Sequence, residues 1–146
     1  MDQAGLEASK ALVRRFAEVV NRGDYALLDE LVASDFVRHC QATPEVTVRS
    51  REDFKRYLVE NHATFPDEHM REAFLVAEGD KVAFYSIYSG TQQGPMGAFP
   101  PSGKRMELDI SGLFRVVGGK LAELWVTWDN VTGLVQLGHF PPPAAQ

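Results

Sequence analysis

The spacing of apolar residues divides the chain into a helical first half and a second half rich in strands. A first helix is predicted from residues that recur on one helical face: Leu12, Val13, Phe16, Ala17, Val19 and Val20. Gly23 is a natural stop for this helix, and Asp24 can cap a short second helix that ends at Ser34-Asp35. Ser50 and Asp53 form a capping-box pattern that opens a third helix. Phe65-Pro66-Asp67 ends it, because proline cannot continue the hydrogen-bond ladder.

Strands and turns are predicted for the remaining segments. Residues 36–41 alternate like a strand, and a hairpin is predicted from residues 70–77 and 82–88 around a turn at 78–81. A loop over 90–104 separates it from a second hairpin, residues 105–117 and 120–129, which turns at Gly118-Gly119. Helices followed by antiparallel strands indicate an α+β domain. We expect a cone-shaped, curved antiparallel sheet wrapped around three N-terminal helices, with an internal apolar pocket for a small ligand.

Composition narrows the class of protein. A chain of 146 residues, 45% hydrophobic and with a net charge of -5, fits a single domain over 1–146 with a core at about 11–138 and a Pro-rich tail. The basic residues are scattered, so we expect no nucleic-acid partner. No apolar run is long enough to cross a bilayer, and no signal-peptide pattern is present at the N-terminus. With Cys40 as the single cysteine, we expect an inert buried thiol and a cytoplasmic protein.

Asp129 is the first candidate for chemistry, because a carboxylate is an unexpected end to an apolar strand. Alternation places Glu123, Trp125, Thr127 and Asp129 on one face. If that face lines the pocket, desolvation raises the pKa of Asp129 and makes it a better general base. The alternative is an aspartate that caps the turn at Asn130.

His39 is the second candidate, as a proton shuttle or as a satisfied half-buried histidine. The strand aromatics Tyr88, Trp125 and Trp128 line the pocket or belong to the core. Met96 and Phe99, in the segment 94–103, belong either to a flap over the pocket mouth or to an ordinary hairpin loop.

The other histidines are His62, His69 and His139. Their spacing does not converge on a metal, and no metal site is assigned.

An ordered set of motifs resembles the SnoaL-like polyketide cyclases (ester cyclases) of the nuclear-transport-factor-2-like superfamily. The resemblance covers about residues 11–138. Its motifs are Asn21-Arg22-Gly23-Asp24, 28–33, 35–39, Phe65-Pro66-Asp67, 77–82, Pro100-Pro101-Ser102-Gly103-Lys104, Leu113-Phe114-Arg115, 119–125, Asp129 and Gln136-Leu137-Gly138. Each motif is short, and their order along the chain makes the set specific.

The resemblance implies a cone-shaped α+β barrel that dimerises through the outer face of its sheet. It also implies a cyclase that closes a ring of an aromatic polyketide methyl ester by intramolecular aldol condensation, without metal or cofactor. Asp129 matches the catalytic aspartate of the family, which takes a proton from the carbon between two carbonyls and returns one to the carbonyl oxygen. The pocket then has to hold the substrate in near-attack geometry and exclude water.

Two positions depart from the family pattern. Gly112 stands where characterised cyclases carry a histidine two residues before Phe-Arg, and Gln92 stands at a second position that is often histidine. Gly112 has no side chain that could donate a proton, and glycine inside a strand signals a bulge or the close approach of a ligand. Either His39 supplies the missing acid, or the chemistry differs.

Three functions follow from these observations. The first is a cofactor-independent cyclase with Asp129 as general acid/base and a substrate site formed by the aromatics, the 94–103 loop, Gln92 and Gly112. The second is an isomerase or epoxide hydrolase of the same superfamily. The third is a binding module without catalysis, because one fold hosts many functions.

Overall fold

The first helix is fixed at both ends by local chemistry. The computed structural model describes residues 2–141, and in it α1 spans Gln3–Arg22. The Asp2 side chain accepts a hydrogen bond from the Gly5 amide at its start, and Gly23 ends the helix in the left-handed region with φ 72°. The predicted helix is confirmed, and it begins at Gln3, well before Leu12, the first residue of its predicted apolar face.

A short connection leads from α1 into the first strand. A 3-10 turn, Tyr25–Leu27, precedes α2, Leu28–Leu31, and β1 follows at once over Val32–His39. The prediction that the second helix continues to Ser34-Asp35 is wrong. Val32 pairs with Leu121 of a neighbouring strand. The backbone at Val32 therefore belongs to the sheet, although local propensity predicted that the helix continues through it.

The third helix, α3, spans Arg51–Thr64. Its predicted capping box is present in a shifted form, because the Ser50 hydroxyl accepts from the Asp53 amide at 3.0 Å while the Asp53 carboxylate accepts from the Arg49 amide at 3.1 Å. The helix ends immediately before Phe65-Pro66, as the proline predicts.

The sheet has five strands in the order β1-β5-β4-β3-β2. The two predicted hairpins are β2 (His69–Glu78) with β3 (Lys81–Thr91), and β4 (Arg105–Val117) with β5 (Lys120–Trp128). The expectation of a purely antiparallel sheet is corrected, because β1 lies parallel to β5 and the sheet is mixed and unclosed. Such a pair needs a long crossover, which α3 and both hairpins supply here. A last helix, α4 (Asn130–Leu137), was not predicted.

The inner face of the sheet is closed against the helices by phenylalanines. Phe54 of α3 stacks on Phe36 of β1 at 4.5 Å and on Phe16 of α1 at 5.8 Å. Phe114 of β4 joins Phe16 at 5.4 Å and Phe84 of β3 at 5.5 Å. We call these five residues the phenylalanine cluster. Each such pair contributes about 0.5–1.5 kcal/mol beyond area burial, so the cluster holds two helices and three strands together.

A smaller apolar cluster lies further along the same strands and contains Phe65, Met106, Leu108 and Leu137. Leu137 belongs to α4, so this last helix is held to the sheet by burial of its apolar face. Tyr88 and Trp128 pack against this cluster and against the larger buried core, and both remain half-buried. No helix among residues 2–141 is long and apolar enough to cross a membrane. The tail prediction for residues 142–146 lies outside the described part of the chain.

Gly112 sits where three strands and an aromatic ring meet. It pairs with Phe84 on β3 and with Val126 on β5. A Cβ at this position would overlap the Trp125 carbonyl oxygen and lie 2.6 Å from Phe84 Cζ. The space beside Gly112 is therefore filled by Phe84, and the close approach predicted for a glycine inside a strand is made by this ring.

Replacing Gly112 with alanine is expected to lower the free energy of unfolding by about 1–3 kcal/mol, because the overlap involves backbone that cannot move alone. Chemical denaturation measures this, with the neighbouring Ser111→Ala as a control expected to stay within about 0.5 kcal/mol. Equal stabilities of the two variants would contradict this packing of Phe84.

Candidate active site

A buried carboxyl group, Glu68, lies between the end of α3 and the start of β2. Its side chain is 6% exposed. Glu68 Oε1 accepts from Asn61 Nδ2 at 3.1 Å and from the Tyr88 hydroxyl at 3.3 Å. Its Oε2 lies 3.2 Å from His62 Nδ1, and Asn61 Nδ2 also donates to the Tyr88 oxygen at 3.0 Å. We call Asn61, His62, Glu68 and Tyr88 the Glu68 cluster.

The Phe65-Pro66-Asp67 turn places Glu68 in this position. The Glu68 amide donates to the Phe65 carbonyl at 3.0 Å, which closes the turn after α3. The Asp67 carboxylate accepts from the Thr91 amide at 2.7 Å and from the Thr91 hydroxyl at 2.8 Å. Since β3 ends at Thr91, these bonds fix the turn to the end of the strand that carries Tyr88. The same Thr91 hydrogen bonds lower the pKa of Asp67.

Burial makes Glu68 a perturbed acid. Desolvation raises the pKa of Glu68 against the opposing effects of its Asn61, His62 and Tyr88 contacts. The pKa of Tyr88 is raised by its own burial and by the charge of Glu68. A carboxyl group whose pKa moves toward neutrality can take and return a proton more effectively than an exposed one.

Tyr25 adds a further hydroxyl close to this cluster. Its ring meets the His62 ring edge-on at 6.4 Å. Its hydroxyl is buried and has no hydrogen-bond partner among the described residues. Burial, together with the charge of Glu68, raises the pKa of Tyr25 to about 12. A buried hydroxyl without a partner costs free energy, so it is a group that a bound polar atom would satisfy.

Arg38 and Tyr57 border the same region from β1 and α3. Arg38 Nη2 donates to the Tyr57 hydroxyl at 3.1 Å, and Nη1 donates to Thr43 Oγ1 at 3.0 Å. The Arg38 guanidinium lies 5.9 Å from the Trp128 ring. Burial raises the pKa of Tyr57, while the Arg38 charge acts in the opposite direction. Trp128, one of the predicted substrate-site aromatics, therefore lies on the inner face beside a cation.

Asp129 is exposed and acts as the N-cap of α4. Its carboxylate accepts from the Val131 amide at 3.0 Å, the Thr132 amide at 3.3 Å and the Thr132 hydroxyl at 2.9 Å. The Thr132 and Val131 hydrogen bonds lower the pKa of Asp129. The expected rise in its pKa is thus corrected, because the carboxylate is bonded at a helix start and not desolvated beside indole.

Trp125 and His39 lie on the outer face of the sheet. Strand alternation was predicted correctly, but Leu124, Val126 and Trp128 form the inward set of β5, while Trp125 points outward. His39 stacks on Trp125 at 5.2 Å, and its Nε2 lies 2.6 Å from Glu123 Oε2. The structure therefore does not bring His39 to the Glu68 cluster.

The loop residues proposed for substrate binding are organised around Gln92. Gln92 is fully buried, and its Nε2 donates to the carbonyls of Gly94 and Pro100, both at 3.1 Å. Its Oε1 lies 2.6 Å from His139 Nε2. Met96 and Phe99 form a backbone bridge, and Phe99 packs on the His139 ring at 5.0 Å. Gln92 thus joins the loop to the chain after α4.

Two surface grooves also lie near predicted residues. One, of about 400 Å³, is bordered by Arg38, His39, Arg49 and residues 46–48, with Val37. The other, of about 350 Å³, is bordered mainly by β1, β4 and β5 residues, including Arg115 and Glu123. Within residues 2–141, no group of three or more His, Cys, Asp or Glu side chains is arranged to hold a metal ion.

Sequence reasoning missed the Glu68 cluster because its members come from separate elements. Asn61 and His62 belong to α3, Glu68 to the turn after it and Tyr88 to β3. Only one signal was available, an acidic residue directly after the Phe65-Pro66-Asp67 stop. That signal does not distinguish a buried carboxyl from a solvated turn residue.

The fold and this interior cluster define a curved-sheet α+β protein with titratable groups between its helices and sheet, and comparisons with known proteins give its family. The sequence profile of the SnoaL-like polyketide cyclases matches residues 10–137. No curated protein matches the chain. The chain therefore belongs to the SnoaL-like polyketide cyclase family and has its nuclear-transport-factor-2-like fold.

Solved structures agree with this assignment. Wild-type IdmH from Streptomyces antibioticus, a candidate polyketide cyclase, is 33% identical with a TM-score of 0.78, over 89% of this chain and 98% of that one. TsrD from Streptomyces laurentii is 27% identical with a TM-score of 0.82, over 96% and 99%. A candidate SnoaL-like cyclase from Jannaschia sp. CCS1, 20% identical with a TM-score of 0.85 over 97% and 99%, shows the shared fold.

The buried Glu68 carboxyl predicts a specific pH dependence of stability. Because its pKa is raised in the folded state, its contribution to the free energy of unfolding is present below the unfolded pKa of about 4.3. That contribution is lost as the pH rises through the folded value. Relative to Glu68→Gln, the wild type is expected to lose stability progressively above about pH 4.3.

Chemical denaturation of both proteins across this pH range measures the difference. Glu60→Gln, on the exposed side of α3, is the matched control for removal of one carboxylate. A wild type that gains stability over Glu68→Gln as the pH rises would contradict the raised pKa.

Proposed function

We propose that the protein is a cofactor-independent cyclase that closes a ring in an enolisable, apolar small molecule by an intramolecular aldol-type reaction. The observation that carries this proposal is the buried Glu68 carboxyl with its raised pKa, in a chain of a cyclase family. A cyclase of this kind needs one group that removes a carbon-bound proton at neutral pH and donors that receive the charge which develops on oxygen.

Glu68 is assigned the proton transfer. Its ionised carboxylate removes the proton from the carbon between two carbonyls, and the C–H electron pair becomes the enolate. The enolate carbon attacks the carbon of a third carbonyl, further along the same molecule, so one C–C bond closes the ring and the π electrons of that carbonyl move to its oxygen. That oxygen then receives a proton and Glu68 is regenerated as the carboxylate. The reaction is balanced without an oxidant or reductant.

Asn61 and Tyr88 are assigned the stabilisation of the oxyanion. Both donate hydrogen bonds to Glu68, at 3.1 and 3.3 Å, and both can turn toward an oxygen of the substrate once Glu68 is protonated. The Tyr25 hydroxyl, which has no protein partner in the described residues, is a third donor in this region. Donors held in place inside a desolvated site lower the barrier more than donors in water.

Asp129 is the competing assignment, because it matches the catalytic aspartate implied by the family resemblance. Its exposure and lowered pKa make it a weaker base than Glu68. Its hydrogen bonds to the first turn of α4 suit a structural cap. The variant Asp129→Asn separates these roles, because asparagine also caps helices while its amide cannot act as a base.

Turnover is the direct test. Enolisable polycyclic ketones and esters are screened by thermal shift, and products of each hit are analysed by mass spectrometry. With a true substrate, Glu68→Gln is expected to lower kcat by about 10²–10⁴, the usual contribution of a positioned acid/base. Asp129→Asn and the outer-face variant His39→Ala are expected to retain activity within about threefold and to leave the pH profile unchanged, since neither changes the Glu68 cluster.

Each other result assigns a different function. Full activity in Glu68→Gln with a large loss in Asp129→Asn would overturn the Glu68 assignment in favour of Asp129. Tight binding of the hits without any product would favour a non-catalytic binding module. Double-bond migration or epoxide opening in place of ring closure would favour an isomerase or an epoxide hydrolase.

We also propose that the protein is a homodimer that associates through the outer face of its sheet. Large apolar side chains are exposed on strands at this face, namely Phe74, Val76, Val117 and Trp125.

Val76→Glu is expected to shift the protein from dimer to monomer in light scattering at micromolar concentration. Val59→Glu on α3 is the matched control, since Val59 is 51% and Val76 58% exposed. A wild-type monomer, or equal masses for both variants, would contradict the proposal.

The cellular location is proposed as the cytoplasm. Support comes from the single free cysteine, Cys40, because a chain that needs no disulfide suits a reducing compartment. Fractionation of cells that produce the protein tests this, and recovery outside the cytoplasmic fraction would contradict it.

A further inference from the structure

Arg38 is a buried cation without an anionic partner. Its residue is 8% exposed, and arginine at this depth is ordinarily paired with a carboxylate. Its two hydrogen bonds go to neutral hydroxyl oxygens, those of Thr43 and Tyr57. Among the carboxylates of residues 2–141, none forms a salt bridge with Arg38. The described part of the fold therefore holds a buried guanidinium that has no salt-bridge partner.

The surroundings of Arg38 hold the charge in place but leave part of it available. The guanidinium lies 4.2 Å from the Tyr57 ring centre and 5.9 Å from that of Trp128, distances at which aromatic faces attract a cation. A guanidinium has five N–H donors, and the hydroxyls of Thr43 and Tyr57 use two of them. The remaining donors can form the paired hydrogen bonds that arginine makes with a carboxylate.

The position of Arg38 connects it to the Glu68 cluster. Tyr57, which accepts from Arg38, lies one helical turn before Asn61 on α3, and Asn61 donates to Glu68. The ionisation of Tyr57 responds to the charges of both Arg38 and Glu68. Arg38 and Glu68 thus act from two sides on the same stretch of α3, and Trp128 supplies an aromatic surface beside the cation.

We infer that Arg38 binds a carboxylate of the ligand, so that the substrate is a free aromatic or polyketide acid and not its ester. The inference rests on the proposed function, since it names the substrate class of the same site. With its carboxylate held by Arg38 and its ring stacked near Trp128, the ligand would present its enolisable part to Glu68 in one orientation. An ester offers neither the charge nor two equivalent acceptor oxygens.

Binding of matched probes tests this without turnover. The probes are 3-hydroxy-2-naphthoate and its methyl ester, and calorimetry measures their affinities for the whole chain. The wild type is expected to bind the acid at least tenfold more tightly than the ester, as a charge-assisted bidentate contact supplies. Arg38→Gln is expected to abolish this preference, with the affinity for the ester changed less than threefold.

Three further variants make the result specific. Arg15→Gln removes the same charge from an exposed position on α1 and is expected to keep the acid preference. Arg38→Lys keeps the charge without the planar fork and is expected to retain only part of the preference. Glu68→Gln is expected to retain or increase the acid preference. The binding test therefore gives the same answer whether or not Glu68 carries out the proposed proton transfer.

Equal affinities of the wild type for acid and ester, or no binding of either, would overturn the inference. An acid preference that survives in Arg38→Gln would do the same. If Arg38→Gln does not fold, as judged by its thermal transition, the wild-type comparison and Arg38→Lys decide the outcome.

Discussion

The structure depends on the phenylalanine cluster that packs α1 and α3 against the inner face of the sheet. Phe54 is in contact with both Phe16 and Phe36, and Phe114 joins this stack to Phe84. These contacts link elements that are distant in the sequence, so they hold the inner face of the sheet against the helices.

The polar groups consequently lie further along the same elements. On β3, Tyr88 follows Phe84 by four residues on the same face, and on α3 Tyr57 and Asn61 follow Phe54 at successive turns. Burial next to an apolar core is what raises the pKa of Glu68. One packing arrangement thus explains both how the helices are held to the sheet and why the proposed site contains a buried carboxyl.

The same arrangement explains the departures from the family pattern. The histidine that the family resemblance implies at position 112 has no room here, because Phe84 occupies the space beside Gly112. Gln92 is committed to the backbone of its own loop and to His139. Both positions at which the resemblance implies a histidine are thus engaged in packing and loop structure. Glu68, from another part of the chain, supplies a buried carboxyl group with a raised pKa.

Much of the fold was predictable, because it follows local rules. Helix ends at Gly23 and Pro66, the cap at Ser50 and the two hairpins depend on neighbours in the sequence. The parallel pairing of β1 with β5 was not predictable, since it joins residues more than eighty positions apart. Alternation along β5 predicts which residues share a face of the strand, but it does not predict which of the two faces points inward.

The site was harder to predict for the same reason. Asp129 was visible because it interrupts an apolar pattern, whereas Glu68 lies in a polar stretch of sequence and Arg38 in a strand where polar and apolar residues are mixed. Their burial follows from the packing of α3 against the sheet and from the turn that Asp67 anchors to Thr91. Neither contact leaves a periodic signal in the chain.

The central claim is that Glu68 is a buried carboxyl with a raised pKa, and its ionisation can be observed directly. The side-chain carboxyl resonances of a ¹³C-labelled protein are followed by NMR from acid to neutral pH, with Glu68 and Asp129 assigned through Glu68→Gln and Asp129→Asn. We expect Glu68 to titrate above the ordinary glutamate pKa of about 4.3 and Asp129 below the ordinary aspartate value of about 3.9. A Glu68 resonance that titrates at or below the ordinary value would contradict the account.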